Sequence, residues 1–190
     1  NQWWICDEGR YGYKNIDNHR IQNAQLRKNG KLWPADWKEV LEKVSTVLKS
    51  SQSKNTWVLL ASPQYTNEEL FLMKRVFRDK LQWDPILFYS AGEEGGEDDF
   101  LIKKDKNPNS TGAAKIFGLD KEVADVSGIA EKVGQGQIDG LFIFNRDLTK
   151  TFGNEGLQEI RQKVKTIIYE GPNVNPTSLL ADVVLPSASY

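Results

Sequence analysis

Trp57-Val58-Leu59-Leu60-Ala61-Ser62-Pro63-Gln64-Tyr65-Thr66-Asn67-Glu68-Glu69-Leu70 decides the fold. Its first five residues are a continuous apolar run, the pattern of a strand covered on both faces. Ser62-Pro63 breaks that run. Thr66, with Glu69 three residues on, forms a capping box that opens a helix, and Leu70, Met73, Phe77 and Leu81 recur at helical spacing along one face. Pro85-Ile86-Leu87-Phe88-Tyr89 reads as the next strand. Strand, helix and strand in that order make a βαβ unit, whose strands are expected to be parallel with a right-handed crossover.

Toward the C-terminus, Gly92-Glu93-Glu94-Gly95-Gly96-Glu97-Asp98-Asp99 carries five carboxylates in eight residues. They lack the alternating ligand spacing of a calcium loop, so a solvated loop fits better than a hard-cation site. Residues 105–110 are turn-rich. Ser127 caps a short helix carrying Ile129 and Val133, closed by Gly134 and Gly136. Residues 138–144 form a third strand, Asn154 caps a helix with Leu157, Ile160 and Val164 on one face, and residues 166–169 and 181–185 form two more strands. Toward the N-terminus, residues 1–32 show no helical period and read as short strands and loops packed as an arm. Pro34 and Asp36 then open a helix, with Asp36 and Glu39 as a second capping box and Trp37, Val40, Leu41, Val44, Val47 and Leu48 on its apolar face. Residues 50–55 read as a linker. The pattern predicts an α/β fold with a doubly wound, mostly parallel, Rossmann-like sheet and an irregular N-terminal arm. It divides the chain into an arm with the first helix (residues 1–52) and an α/β domain (residues 53–190).

Composition narrows the function classes. In 190 residues, 39% are hydrophobic, 27% are charged and the net charge is −1. No global field attracts nucleic acid or an anionic membrane. The longest apolar runs are about six residues, far short of the ~20 that span a bilayer. One cysteine, Cys6, excludes an internal disulfide or a cluster held by this chain's own cysteines, and one histidine, His19, leaves no second imidazole for a His-rich metal site. The chain starts at Asn1 rather than Met and reads as a piece of a longer polypeptide.

In a doubly wound sheet, ligands sit beyond the carboxyl ends of the strands. Here those ends are Ser62-Pro63, Ser90-Ala91-Gly92, Asn145-Arg146-Asp147 and Gly171-Pro172-Asn173. They are short and polar, as a nucleotide-like ligand needs, and as plain strand-to-helix turns also are. The first βα turn has no glycine, so its backbone is not shaped for a pyrophosphate, and Gly134-Gln135-Gly136 precedes a strand instead of following one. No P-loop and no Ser-His-Asp set are present. His19, beside Arg20, reads as a surface or packing residue. Cys6 has three readings: a buried small hydrophobe, a redox thiol helped by Arg10 but opposed by Asp7 and Glu8, or a metal ligand needing partners from elsewhere. Composition favours the first.

Four stretches together carry a resemblance. Cys6-Asp7-Glu8-Gly9-Arg10-Tyr11-Gly12, Arg27-Lys28-Asn29-Gly30 with Trp37, Ser62-Pro63-Gln64-Tyr65-Thr66-Asn67-Glu68-Glu69, and Ala181-Asp182-Val183-Val184-Leu185-Pro186 occur in the order found in the large iron–sulfur subunit of NADH–quinone oxidoreductase, the bacterial complex I. The chain resembles that family, which belongs to the molybdopterin oxidoreductase superfamily with formate dehydrogenases and nitrate reductases. The resemblance implies that Cys6 is the last of four cysteines holding a [4Fe–4S] cluster. The other three would lie upstream, so the cluster is expected only in the full-length protein and no cofactor is expected in this chain. Catalytic members place a Lys two residues after this cysteine, between cluster and pterin. Glu8 stands there instead, which argues against molybdopterin.

The resemblance further implies that residues 1–52 are the tail of an iron–sulfur domain and that residues 53–190 are a cut-down relative of a pterin-binding domain. The expected role is a scaffold in an electron-transfer subunit, inactive alone. It would pack on other subunits of a respiratory or hydrogenase-like complex, in the cytoplasmic peripheral arm of a membrane-associated assembly and without direct membrane insertion. Trp3 and Trp4 would suit such an interface or a local core. Two alternatives stay open: a piece of a catalytic molybdopterin enzyme such as a formate dehydrogenase, and a stand-alone α/β module binding a nucleotide or a protein.

Overall fold

The computed structural model describes residues 10–51, 56–83, 86–88, 97–100, 104–118 and 128–188. The expectations placed on Cys6, Glu8, Trp3, Trp4, the linker at 52–55, the strand end at 90–92, most of the acidic run and the cap at Ser127 lie outside the described residues.

Seven strands form one open sheet in the order β2-β1-β7-β6-β5-β3-β4. They are β1 (Gln25–Lys28), β2 (Lys31–Pro34), β3 (Trp57–Ala61), β4 (Ile86–Phe88), β5 (Gly140–Phe144), β6 (Thr166–Gly171) and β7 (Val183–Pro186). Strands β4, β3, β5, β6 and β7 pair in parallel. The sheet as a whole is mixed, because β1 pairs antiparallel with both β2 and β7. The mostly parallel, Rossmann-like expectation is thus met only in part, and it departs at one edge. The cause is a turn at Asn29-Gly30, both at positive φ (51° and 80°), which folds residues 25–34 into a hairpin that joins the sheet.

Helices cover both faces of the parallel strands, and the continuous apolar runs are the reason. In β3, Trp57, Leu59 and Ala61 face one core, while Val58 and Leu60 face the other. In β6, Ile168 faces the first, and Ile167 and Tyr169 the second. The first core receives Val40 and Val44 of α1 (Trp37–Ser50), Leu70 and Met73 of α2 (Asn67–Met73), and Ala113 and Phe117 of α3 (Ser110–Phe117). The second receives Ile129 and Val133 of α4 (Gly128–Gly134) and Leu157 and Ile160 of α5 (Thr149–Lys163). Each large apolar side chain among these, fully buried, contributes roughly 1.5–3 kcal/mol.

Several local expectations shift. Asp36 caps α1 by accepting from the Lys38 backbone N–H at 2.8 Å, but Glu39 pairs with Lys28 Nζ at 2.9 Å instead of closing a capping box. The buried face of α1 is narrower than its pattern, with Trp37 and Leu41 left 48% and 54% exposed. After α2 the helix widens into a π-helical segment, Lys74–Lys80, where the Leu81 N–H reaches back five residues to the Val76 carbonyl at 3.0 Å. Phe77 and Leu81 keep their place in the core through that widening. Helix α5 starts earlier than Asn154, at Thr149, and breaks stride at Gly153, whose φ of 64° is non-helical. The start at Thr149 is held by Asp147 Oδ1, which accepts from the Thr149 N–H at 3.0 Å.

An aromatic column runs through the first core. Tyr65 meets Phe144 edge-on at 5.8 Å, Phe144 stacks on Phe142 at 4.7 Å, and Phe77 lies 5.2 Å from Phe142 and 5.0 Å from Trp83. Trp83 stands 5.1 Å from Trp57 and donates its indole N–H to the Ser51 carbonyl at 3.1 Å. Asp182, just before β7, accepts from the Ile167 N–H at 2.9 Å and from Arg161 Nη1 at 3.0 Å, which secures the β6–β7 approach.

Candidate functional site

From β3 the chain crosses to β4 on one side, and β5 later takes its place on the other side of β3. The crevice between the carboxyl ends of β3 and β5 is therefore the topological switch point, where open α/β sheets bind ligands. A cavity of about 660 Å³ opens there, lined by the β3–α2 turn with Pro108, Asn109, Asn145, Pro172 and Ser187.

The β3–α2 turn is held rigidly from within. Thr66 Oγ1 accepts from the Glu69 N–H at 3.3 Å, and Glu69 Oε2 accepts from the Thr66 N–H at 2.8 Å. The capping box expected there is complete. It has a chemical consequence: a carboxylate of the chain already occupies the positive N-terminus of α2, with Glu68 beside it in the first turn. A phosphate or pyrophosphate ligand finds that anion position taken.

Amides build the other walls. Asn109 donates through Nδ2 to the Tyr65 carbonyl at 2.9 Å and to Asn67 Oδ1 at 3.0 Å, while its backbone N–H reaches the Pro63 carbonyl at 3.1 Å. These bonds pin the start of α3 against the turn. Gly112 permits the approach, since a Cβ there would collide with Oδ1 of both Asn67 and Asn109. Asn145, at φ 43°, leaves β5 in the left-handed region and donates Nδ2 to Gln64 Oε1 at 2.9 Å, tying together the two strand ends of the switch point. Behind it, Arg146 Nη2 donates to Asn107 Oδ1 at 2.6 Å. Asp105 sits below the usual carboxylate range: burial would raise it, but hydrogen bonds from Ser110 and Asn107 outweigh burial.

Tyr65 forms the wall between this cavity and a second groove of about 330 Å³, lined by Leu72, Met73, Val76, Phe77 and Phe144 with Glu69 and Glu170. The Tyr65 hydroxyl donates to Glu170 Oε2. Burial pushes the Tyr65 hydroxyl upward, and the Glu170 charge adds to that. Glu170 is also raised, by burial first and by Glu69, against the opposing hydrogen bonds from Tyr65 and Ser187. Tyr169, whose oxygen accepts from Asn175 Nδ2 at 2.6 Å, is pushed up to about 12 by burial. On the far side, Arg20 Nη2 donates to the Ser187 carbonyl at 2.9 Å, so the arm reaches the rim of the cavity.

Of the strand ends expected to form a site, the β3 turn, Asn145 and Pro172 meet at the cavity, whereas Asp147 turns to α5 and Thr177. Asn109 and Glu170 join the site without a signal in the sequence. Asn109 lies in a segment that reads only as turn, and Glu170 ends an apolar strand run. No group of three or more His, Cys, Asp or Glu side chains capable of holding a metal occurs among the described residues. The Thr66 hydroxyl is engaged in the cap and the Ser187 hydroxyl on Glu170. The cavity thus offers neutral amide donors and acceptors in place of a nucleophile–base pair.

The structure defines an α/β unit with an open mixed sheet and an amide-lined crevice at its switch point. Its sequence is 31% identical over 78 residues to the G subunit of the Rickettsia conorii NADH-quinone oxidoreductase, covering 41% of this chain and 12% of that protein. It is 33% identical over 70 residues to NADH-quinone oxidoreductase subunit 3 of Thermus thermophilus, covering 37% of this chain and 9% of that protein. Over 188 residues it is 22% identical to the F420-dependent formate dehydrogenase 1 subunit alpha of Methanococcus maripaludis, covering 97% of this chain and 25% of that protein. No protein-family model matches the chain. The chain spans about a tenth of the length of the first two relatives. These likenesses point to a segment of an oxidoreductase-related electron-transfer subunit. No helix among the described residues is long and apolar enough to cross a membrane.

Proposed function

We propose that this chain is a scaffold segment of the large iron–sulfur subunit of an NADH–quinone oxidoreductase-like complex, with the Rossmann-like unit of a molybdopterin-enzyme relative but without its pterin. Residues 1–52 are the tail of the iron–sulfur domain and the first helix, and residues 53–190 are the doubly wound unit. Cys6 is the fourth ligand of a [4Fe–4S] cluster assembled in the full-length protein, where thiolates from elsewhere complete the set. The partners are neighbouring subunits of a peripheral, cytoplasmic arm.

The observation that carries this reading is the anion position of α2, taken by the carboxylate of Glu69. Pterin cofactors of this superfamily bear phosphates. Among the described residues lining the crevice the charged ones are Glu68 and Glu69, so the donor set does not fit such a group at that helix. Glu8, where catalytic members keep a Lys, supports the same reading from the sequence.

The match along 97% of the chain to a formate dehydrogenase subunit favours a second reading, a piece of a catalytic molybdopterin enzyme. One experiment separates the two: express the full-length protein under cofactor-replete conditions and assay iron, acid-labile sulfide, molybdenum and pterin. The scaffold reading expects iron and sulfide that are lost on Cys6→Ala, with neither molybdenum nor pterin. Stoichiometric pterin overturns it.

A further inference from the structure

We propose that the groove beside Tyr65 docks a segment of a partner protein that inserts a lysine or arginine side chain flanked by apolar residues. The groove has two chemically different ends. Its floor is Met73, Phe77 and Phe144, and its rim is Leu72 and Val76, which stand 59% and 39% exposed one helical turn apart on a surface helix. Its head is a pair of carboxylates. Glu69 gives Oε2 to the cap at Thr66, and Glu170 gives Oε2 to the Tyr65 hydroxyl. Neither carboxylate is in an ion pair among the described residues, where the ion pairs engage Glu39, Glu159, Asp139 and Asp182.

Two partly desolvated carboxylates that share one end of a groove without a cation are an unfavourable arrangement, and a cation between them removes the repulsion. The apolar walls add what an ion alone would not use: a surface for the methylene stem of a lysine or arginine and for the apolar neighbours beside it. Charge complementarity thus selects a basic, apolar-flanked segment and disfavours an anionic or a purely apolar one. The same geometry disfavours a phospholipid surface, whose headgroups would meet Glu69 and Glu170. This deepens the scaffold reading by naming the chemistry of a contact, and its test is read on this chain whether or not the full-length protein carries a cluster.

The test follows the methyl signals of Leu72 and Val76 by NMR while titrating the chain with acetyl-leucyl-lysyl-leucine amide, and in parallel with its glutamyl counterpart. The lysyl peptide is expected to shift both methyls and to bind at least about ten-fold more tightly than the glutamyl peptide. Glu69→Gln with Glu170→Gln, which keeps the capping geometry because Gln also serves at that position, is expected to erase the preference. Leu72→Ser, at an exposed site, is expected to weaken both peptides. Equal binding of the two peptides overturns the proposal, as does the absence of any saturable shift at about 10 mM peptide. Sedimentation velocity covers the remaining occupant: a dimer dissociated by Leu72→Ser would make the groove a contact between copies and overturn the partner assignment.

Discussion

Trp83→Phe tests whether the two halves of the first core are joined as described. Trp83 is 1% exposed, its ring lies between Trp57 and Phe77, and its indole N–H meets the carbonyl of Ser51, itself 0% exposed at the end of α1. Phenylalanine keeps most of the stacking but removes the donor. The Ser51 carbonyl is then a buried acceptor without that partner, at about 1–3 kcal/mol. The smaller ring leaves a void worth about another 1 kcal/mol. The sum is about 3 kcal/mol. With a urea dependence of about 2 kcal/mol per molar for a domain of this size, the unfolding midpoint should fall by about 1.5 M. Urea titration followed by far-ultraviolet circular dichroism measures it, with Trp33→Phe as control. Trp33 is 55% exposed on the edge strand, so its substitution should stay within about 0.5 kcal/mol. A Trp83→Phe midpoint indistinguishable from that control would refute the joint between α1, the segment after the π turn and the sheet.

Three further outcomes concern the site and its supports. Thr66→Ala removes one side of the capping box and should cost about 1 kcal/mol in the same urea assay. Combined with Glu69→Ala it should cost less than the sum of the two singles, because the residues cap each other. Glu170→Gln should change the pH dependence of stability. The folded carboxyl is raised by burial, so the folded state holds its proton more tightly than the unfolded chain does, and stability falls as pH rises from the unfolded value through the folded one. The variant lacks that fall, so its stability relative to the parent should increase from about pH 4 toward neutrality. A difference that is flat or reversed in thermal melts across that range contradicts the burial of Glu170. Gly140→Ala drives a Cβ into the indole ring of Trp57 on the neighbouring strand, a clash inside the core. It should destabilise by about 1–3 kcal/mol, seen as a melting temperature lower by several degrees.

The parallel strands are legible in the sequence because burial on both faces removes the polar alternation: Trp57 to Ala61 is apolar throughout, and every residue of β3 is buried. Helix α2 is legible because Thr66 and Glu69 signal its start and Leu70 to Leu81 mark its stripe. The β1–β2 hairpin escapes for the opposite reason. Edge strands with one poorly covered face carry no apolar run, and β2 buries none of its four residues. The Asn29-Gly30 pair is the available signal, a two-residue turn of the kind that closes hairpins. Helix α3 escapes because only Ala113 and Phe117 of its eight residues are buried, too few to show a period. At the site, the strand ends and the capping box can be placed from sequence. The pairing of Tyr65 with Glu170, 105 positions apart, cannot, because no local pattern encodes a hydrogen bond across the sheet.

The hairpin also sets an order of events in folding. Arg27 of β1 donates its N–H to the Asp182 carbonyl at 2.8 Å and its Nε to the Ala181 carbonyl at 2.9 Å, the latter across a separation of 154 residues. Strand β1 leaves the ribosome long before the strand it pairs with has been made. Contacts of such separation are slow to close. Until β7 arrives, the hairpin exposes an unpaired edge, the kind of surface through which partly made chains associate wrongly. Lys28 and Lys31, which flank the turn, place positive charge on that waiting ribbon and oppose such pairing. The nascent chain thus carries its own protection during the interval in which its sheet is incomplete.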